Sequence, residues 1–598
     1  MARKKPVVTN ADVARVLREI ALLLEMEGVP FKPRAYEKAA YAVESLSEPI
    51  GELLEKGGER AIEELPGVGK SIAEKIVTLV RTGRLPYYEE LHAKVPVDLA
   101  GLSAIEGLGP KNIKVLYEKL GIRTVEELEA AARAGKIRSL PHFGEKSEQK
   151  ILRGIEFLKR SQGRFLLGAV LPLVREIERR LGQIRGVEKV AIAGSIRRCK
   201  ETVGDGDLLV VASDPDRVMD AFVSMPEVQY VHGKGHTKSS VKLHMGMDVD
   251  LRVVPAESWG AALSYFTGSK AHNVALRRIA MEQGLKLNEY GLFRGERSIA
   301  GRTEEEVYHA LGMEWIPPEL REDAGEIEAA RAGTLPRLVE YGQVRGDLQV
   351  QTNWSDGAHS IEEMAEAARR LGREYIAITD HTRALAMVGL DASKLREQMA
   401  YIDRLNSKLR GIRILKGAEV NIDRDGSLDI DDETLAQLDV VGIAVHSYFH
   451  LPRAEQTRRI VRAMENPHAD ILFHPTGRAL LKREPYDVDM EELFAAAVRT
   501  GTVMEIDGYP ERLDLRDEHV RKAIQAGVKL VIDTDAHSIH HLDYLFFGIA
   551  TARRGWATAA DVINTLPLEE FLSQLKDKRG AGVSSPKRST KKRRSGSA

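Results

Sequence analysis

The stretch ETVGDGDLLVVAS, from Glu201 to Ser213, decides the architecture of the middle of the chain. Its apolar run reads as a strand, and Asp205 and Asp207, two residues apart, point to one face of it. Upstream, VEKVAIAGSIRRCK (Val187 to Lys200) gives another strand, a Gly-Ser turn at Gly194-Ser195 and a basic run containing Arg198. Downstream, MDVDLRVV from Met247 sets Asp248 and Asp250 on one face in the same manner. Converging carboxylates with no sequence-local Lys or Arg on their face repel one another and are stable mainly when divalent cations neutralise them. Hard oxygen ligands suit Mg²⁺, and two such ions can clamp the attacking and leaving oxygens of a phosphoryl transfer. A solvated strand edge explains either Asp-x-Asp alone. It does not explain the pair together with Gly194-Ser195 and Arg198.

Toward the N-terminus, residues 9 to about 160 carry apolar positions at helical spacing broken by glycine-rich turns. One element occurs three times: LPGVGKSIAEKI from Leu65, IEGLGPKNIKVL from Ile105 and LPHFGEKSEQKIL from Leu140. Each is a helix-hairpin-helix. In the first two, the turn glycines Gly67 and Gly69, and Gly107 and Gly109, let backbone approach a ligand closely. The following helix, opened by Lys70 or near Lys111, offers free N–H groups to an anion. Such units grip a phosphate backbone without reading its sequence.

Beyond Val254 a mixed αβ segment runs to Pro317 and Pro318, and a charged helix with Gly and Pro punctuation reads as a connector over 319–345. From 346 to about 575 strands and helices alternate, the pattern of a barrel-like α/β domain. Its apolar strands end in His381, Glu419, His446, His474, and Asp535 with His537. Barrel enzymes build sites from strand C-termini, and a mixed His/carboxylate set suits Zn²⁺ or Mn²⁺ that activates water for phosphoester hydrolysis. The first strand, GDLQVQTNWSDG from Gly346, instead places two glutamines, Gln349 and Gln351, on one face. Residues 576–598 are basic and nearly free of apolar side chains, the composition of a disordered tail.

The 598 residues carry 88 Lys and Arg against 89 Asp and Glu, a formal net charge of -1, so any polyanion partner must be met by local clusters. The single cysteine, Cys199, excludes an intramolecular disulfide and a Cys-built zinc site and reads as a small buried residue in a reducing cytosol. No signal peptide or membrane span is recognisable, so a cytoplasmic protein is expected.

The central motifs resemble those of the family X DNA polymerases, typified by polymerase beta. The match covers roughly residues 10 to 318: GSIRR at Gly194–Arg198, ETVGDGD at Glu201–Asp207, VDLR at Val249–Arg252, YFTGS at Tyr265–Ser269 and LNEY at Leu287–Tyr290. The resemblance implies a multidomain α+β and α/β protein: a lyase-like helical domain (1–85), a fingers-like domain (86–160), a nucleotidyltransferase palm with a mixed sheet (161–255) and a thumb-like dNTP-selection domain (256–318). It makes Asp205, Asp207 and Asp250 the catalytic Mg²⁺ ligands and leaves Asp248 a bystander. It gives the triphosphate to Ser195, Arg198 and Gly204, the sugar to Tyr265 and Phe266 in the YFTGS motif with Gly268, and the minor groove to Asn273 and Arg277. Cys199 departs from the glycine of many relatives. Lys75 matches the Schiff-base nucleophile of a 5′-deoxyribose phosphate lyase, supported by Lys32, Tyr36 and Lys38; an ordinary phosphate-binding lysine is an equal alternative.

The C-terminal segment resembles the PHP (polymerase and histidinol phosphatase) domain, a distorted β/α barrel that bacterial family X polymerases carry as a 3′–5′ exonuclease. Asp356 and the later ligands match, but the family's His-x-His is Gln349 and Gln351. A carboxamide oxygen is a poor substitute for imidazole, so a weakened but not abolished nuclease is expected; a domain kept for folding and DNA contact is the alternative. The resulting expectation is a monomeric, template-directed polymerase that binds gapped or primed duplex DNA and dNTPs and fills short gaps in base excision repair. A DNA-targeted PHP phosphoesterase and a non-catalytic repair scaffold are the alternatives.

Overall fold

The computed structural model describes residues 8–580 apart from Ser45, Ser47, Glu48, Pro66, Glu106, Gly107, His142, Gln162, Ala386 and Met387. Gly107 of the second hairpin and tail residues 581–598 therefore lie outside the described residues. Residues 576–580 do not begin a tail: they continue the helix Leu568–Gly580.

The N-terminal helices share one apolar core, from Val13 to Ile155. The first of them, Asn10–Met26, begins where Thr9 and Asp12 form a capping box, satisfying two otherwise free N–H groups. Two hairpin helices begin differently. Lys70–Thr82 and Pro110–Leu120 have Gly69 and Gly109 at their N-caps, with no side chain bonded to the first turn. Ile72 N and Asn112 N donate to the carbonyls of Gly69 and Gly109, each at 2.9 Å, and Pro110 has no N–H, so the N–H groups of Lys70, Ser71 and Lys111 are the ones placed for an anion.

In the central domain five strands lie in the order Val187–Ile192, Asp205–Ala212, Asp248–Val253, Lys238–Leu243, Val228–Lys234. The Asp205 and Asp248 strands run parallel and the other neighbours antiparallel, so the sheet is mixed. Period-two alternation sends Leu208, Val210, Val249 and Leu251 into a core shared with the helices Leu167–Gly182 and Pro215–Val223. The carboxylates take the opposite face. Register sets Asp205 opposite Asp248 and Asp207 opposite Asp250.

The segment read as a connector is packed structure. Its short helix Glu326–Ala332 contributes Ile327 and Ala330 to the core of the preceding domain, and Arg321 is fully buried. Composition misled because the charges there are paired internally: Arg321 Nη1 and Nη2 donate to Glu304 at 2.6 and 3.1 Å, and Arg197 donates to the same carboxylate at 2.8 Å through each of two nitrogens.

The C-terminal domain has seven parallel strands paired in sequence order, from Gly346–Val350 to Leu530–Asp533. Gln351 N donates to Ala536 O at 2.8 Å and Ala536 N to Gln349 O at 3.1 Å, which joins first strand to last and nearly closes the barrel. All seven strand ends therefore converge on one rim.

Glu304 supports an expected outcome. Burial pushes its carboxyl up, but Arg321 and Arg197 outweigh this and hold it down at about 2. The group's contribution is present above the ordinary glutamate value of 4.5 and is lost as pH falls toward 2. Glu304→Ala leaves two guanidiniums without their shared partner and should cost about 3–5 kcal/mol at neutral pH. Urea denaturation should show that gap narrowing below about pH 4.5, as the glutamate of the unfolded parent takes up its proton, and closing toward pH 2, where the folded parent loses the charge.

Candidate polymerase and phosphoesterase sites

The turn at Gly194 shows why the central motif needs its residues. Gly194 has φ +65°, and a Cβ there would stand 2.5 Å from Asp207 Oδ2, so only glycine permits both the turn and the approach of the carboxylate. The short helix Gly194–Arg197 follows, then Cys199 at φ +51°. A left-handed residue at 199 explains why glycine suits this turn; cysteine takes it with its side chain buried.

A cleft of about 880 Å³ brings together Ser195, Arg198, Gly204, Asp205, Asp207, Tyr265, Phe266, Gly268, Asn273 and Arg277. Asp250 lies beside them through its register with Asp207. Burial pushes Asp207 up to about 6, with Asp205 and Asp250 adding repulsion. One proton cannot relieve this cluster at neutral pH, so its donor set fits divalent cations.

The expectation that these carboxylates lack paired cations needs correcting. Lys238 Nζ lies 2.7 Å from Asp250 Oδ2, Arg252 Nη2 3.9 Å from the same oxygen, and Ser240 Oγ donates to Oδ1 at 2.6 Å. Arg252 is two residues along the same strand, and Lys238 comes from the neighbouring one. Strand alternation alone could have predicted Arg252; Lys238 required the pairing. Asp248, expected to be a bystander, also lines the cleft, where it meets His232 and Lys242 at 2.9 and 3.2 Å.

Around the cleft, Tyr265 and Phe266 meet edge to face at 5.1 Å, and the Arg252 guanidinium lies 4.6 Å from the Phe266 centroid. Asn273 Nδ2 donates to Tyr265 O at 2.6 Å, and Arg277 Nε to Asn273 O at 3.3 Å.

In the first hairpin domain, Lys75 Nζ donates to Ser71 Oγ and Ser71 O, each at 2.9 Å, and sits 4.9 Å from the Tyr87 centroid. Burial pulls its ammonium down, Lys32 adds to this and Glu74 opposes it. Tyr36 stacks on Tyr87 at 6.4 Å, so Lys32 and Tyr36 surround Lys75. Lys38 and Gly67 instead line a cavity of about 680 Å³ whose other wall carries Asp356, Asp535 and His537 of the barrel. Lys70 and Lys111 are exposed beside their hairpins.

At the barrel rim Glu419 is the hub. His446 Nε2 and His474 Nε2 lie 2.9 and 2.8 Å from its Oε1, and His381 Nδ1 3.4 Å from Oε2. Asp356 Oδ2 is 3.5 Å from His381 Nε2 and 3.8 Å from His537 Nε2. Two ligand-like triads result: Asp356, His381 and His537, and His381, Glu419 and His446. Gln351 Nε2 donates to Glu419 Oε2 at 2.8 Å, while Gln351 Oε1 and both polar atoms of Gln349 are buried with no hydrogen-bond partner among the described residues. Asp535 meets Arg512, whose Nε is 3.4 Å away and lies 3.6 Å from Asp507. Arg512 was invisible to the reading of strand ends because it sits in a loop; Asp507 ends the run TVMEID (Thr502–Asp507) and belonged to the pattern.

Comparison with known proteins matches these parts in order. Family models match for a helix-hairpin-helix domain at 8–85, a SAM-like helix-hairpin-helix tandem at 99–156, the DNA polymerase beta thumb at 262–322 and the PHP domain at 347–566. The DNA polymerase/3′-5′ exonuclease PolX of Bacillus subtilis (strain 168) is 39% identical over 571 residues, which cover 94% of this chain and 99% of that one. The chain belongs to the bacterial PolX family. Partial relatives agree with the two halves of a PolX protein. DNA polymerase lambda of Arabidopsis thaliana is 26% identical over 53% of this chain and 63% of its own, and a probable phosphatase of Thermoanaerobacter sp. (strain X514) is 30% identical over 39% of this chain and 96% of its own. Among the described residues no helix is long and apolar enough to cross a membrane.

Gly194 gives a direct test of the cleft geometry. Gly194→Ala should keep the fold and lower single-nucleotide gap filling by at least ~100-fold, the scale of a catalytic group misplaced by about 1 Å. Circular dichroism alongside primer extension checks both halves of that expectation.

Proposed function

We propose that the cleft fills short gaps in duplex DNA during base excision repair, with Asp205, Asp207 and Asp250 as the ligands of two Mg²⁺ ions. The chain is a DNA-directed DNA polymerase of family X with a PHP domain. The observation that supports the site assignment is the register that sets Asp205, Asp207 and Asp250 side by side on one face; burial pushes Asp207 up to about 6, and the two neighbouring carboxylates add to this. When bound, the ions neutralise charge on the attacking and leaving oxygens.

The chain's own residues do the rest. Ser195, Arg198 and the turn at Gly204 take the triphosphate; the arginine fork suits two phosphate oxygens. Tyr265 and Phe266 lie under the sugar and disfavour a 2′-hydroxyl, while Asn273 and Arg277 face the nascent pair. The primer 3′-hydroxyl gives up its proton to solvent as its oxygen forms a bond to the α-phosphorus, the bond from that phosphorus to the bridging oxygen breaks, and pyrophosphate leaves with the electron pair. The uncapped first turns at Gly69 and Gly109 hold the duplex through its phosphates. Monomeric action on the DNA completes this reading.

At the barrel rim we assign a weakened 3′–5′ exonuclease using Mn²⁺ or Zn²⁺ on Asp356, His381, Glu419, His446, His474, Asp535 and His537. Two triads remain suited to a metal, but Gln351 spends its amide on Glu419 and offers only a carboxamide oxygen. A PHP phosphoesterase that merely borrows DNA-binding modules is the weaker reading, because the altered positions fall in the barrel and the polymerase aspartates are complete. In the hairpin domain, Lys75 with its lowered ammonium supports a 5′-deoxyribose phosphate lyase.

A labelled primer bordering a one-nucleotide gap should gain one templated nucleotide in Mg²⁺; Asp250→Ala should abolish this and Asp248→Ala should keep most of it. No extension by the parent would refute the polymerase reading. Without dNTPs, slow shortening of the primer that His381→Ala removes is expected in Mn²⁺, and an unchanged primer would mean the glutamines silence the nuclease. Borohydride should trap a covalent adduct with 5′-deoxyribose phosphate DNA in the parent and in Asp250→Ala, but not in Lys75→Ala.

A further inference from the structure

Arg198, the residue assigned to the triphosphate, is already engaged. Its Nε donates to Glu322 Oε1 at 3.0 Å and its Nη1 to the carbonyl of Thr267. Glu322 lies on the packed strap after Arg321 and is shared: Arg554 Nη1 reaches the same Oε1 at 3.1 Å, and Lys200 Nζ stands 4.0 Å away. Burial pushes the Glu322 carboxyl up, yet Arg554, Arg198 and Lys200 together hold it below the ordinary glutamate range. It is therefore a carboxylate facing the nucleotide-binding arginine.

Arg554 does not belong to the polymerase half. It ends the helix Leu545–Arg554 of the barrel domain, with a side chain only 5% exposed. Asp517 Oδ2 fixes it from behind by accepting from Nε at 2.9 Å and Nη2 at 2.6 Å. Its remaining nitrogen donates to the backbone carbonyl of Arg198 at 2.8 Å. Its neighbour Arg553 binds Glu319 at 2.7 Å, three residues before Glu322 on the same strap. The barrel thus holds both the strap that carries Glu322 and the backbone that carries Arg198.

An incoming triphosphate must draw Arg198 away from Glu322. The carboxylate left behind would be an unpaired negative charge beside a polyanion, costly both for its own burial and for nucleotide binding. We propose that Arg554 of the PHP domain is a positioning residue of the polymerase reaction: it takes over Glu322 and so releases Arg198 to the triphosphate. Nucleotide affinity in the polymerase cleft then depends on an arginine supplied by the barrel, whatever the state of the barrel's own site. This inference rests on the assignment of Arg198 to the triphosphate.

The test uses the full chain on one-nucleotide-gapped DNA. KM and kcat for the complementary dNTP are measured, and its Kd on the same DNA with a 3′-deoxy primer terminus. Arg554→Met should raise KM and Kd roughly tenfold, the weight of one charge-assisted hydrogen bond, with kcat nearly kept. Glu322→Gln alone should lower KM, since the competitor for Arg198 is gone. The decisive variant combines the two: Arg554→Met with Glu322→Gln should return KM to the parent's value or below. A purely structural arginine would not be rescued by losing a second charge. Should Arg554→Met fail to fold, Arg554→Lys replaces it, with a smaller rise in KM and the same rescue. Unchanged KM in the arginine variant, or a rise that Glu322→Gln does not reverse, overturns the inference. Arg198→Ala separates the underlying assignment: if it leaves KM and Kd unchanged, Arg198 does not bind the triphosphate, and the assignment itself fails.

Discussion

Three carboxylates held on the ends of two parallel strands set the terms for the rest of this protein. Backbone pairing brings Asp205, Asp207 and Asp250 together whether or not their charges are balanced. The surroundings balance them only in part: Lys238, Arg252 and Ser240 all contact Asp250, while burial, with repulsion from Asp205 and Asp250, pushes Asp207 up to about 6. A divalent cation is the remaining means of relief at neutral pH. Gly194 has no side chain because Asp207 occupies the space where one would be.

The barrel shows the opposite arrangement. Its hub carboxylate, Glu419, is surrounded by His381, His446 and His474 and by the amide of Gln351, so its charge is met by the protein's own donors. Arg512 stands between Asp507 and Asp535 but does not balance them: burial and repulsion from Asp535 push the Asp507 carboxyl well above its ordinary range. Meanwhile the barrel grips the polymerase half through Arg553 and Arg554.

Much of the fold was legible because its signals are local. Strand alternation gave the acidic face around Asp205, glycine spacing gave the hairpins at Gly67 and Gly109, and strand-end polarity gave His381 through His537. Long-range charge pairing was not legible. The segment 319–345 looked like a linker because its charges are frequent, yet Arg321 and Glu326 are buried against Glu304 and His272. Lys238 at Asp250, and Arg554 at Glu322, depend on contacts that sequence separation hides. Lys38 was grouped with Lys75 by resemblance, whereas the fold places it on the cavity facing Asp356 and His537.

The claim that carboxylate repulsion in the cleft calls for a divalent cation is tested most directly by thermal unfolding with and without Mg²⁺, comparing the parent with Asp207→Asn. The barrel site is common to both proteins, so the difference between them reports the cleft. The account predicts that metal-free Asp207→Asn melts higher than the metal-free parent, because one repelling charge is gone, and that Mg²⁺ raises the parent's midpoint more than the variant's. A variant that melts lower without metal, yet gains as much from Mg²⁺ as the parent, would contradict it.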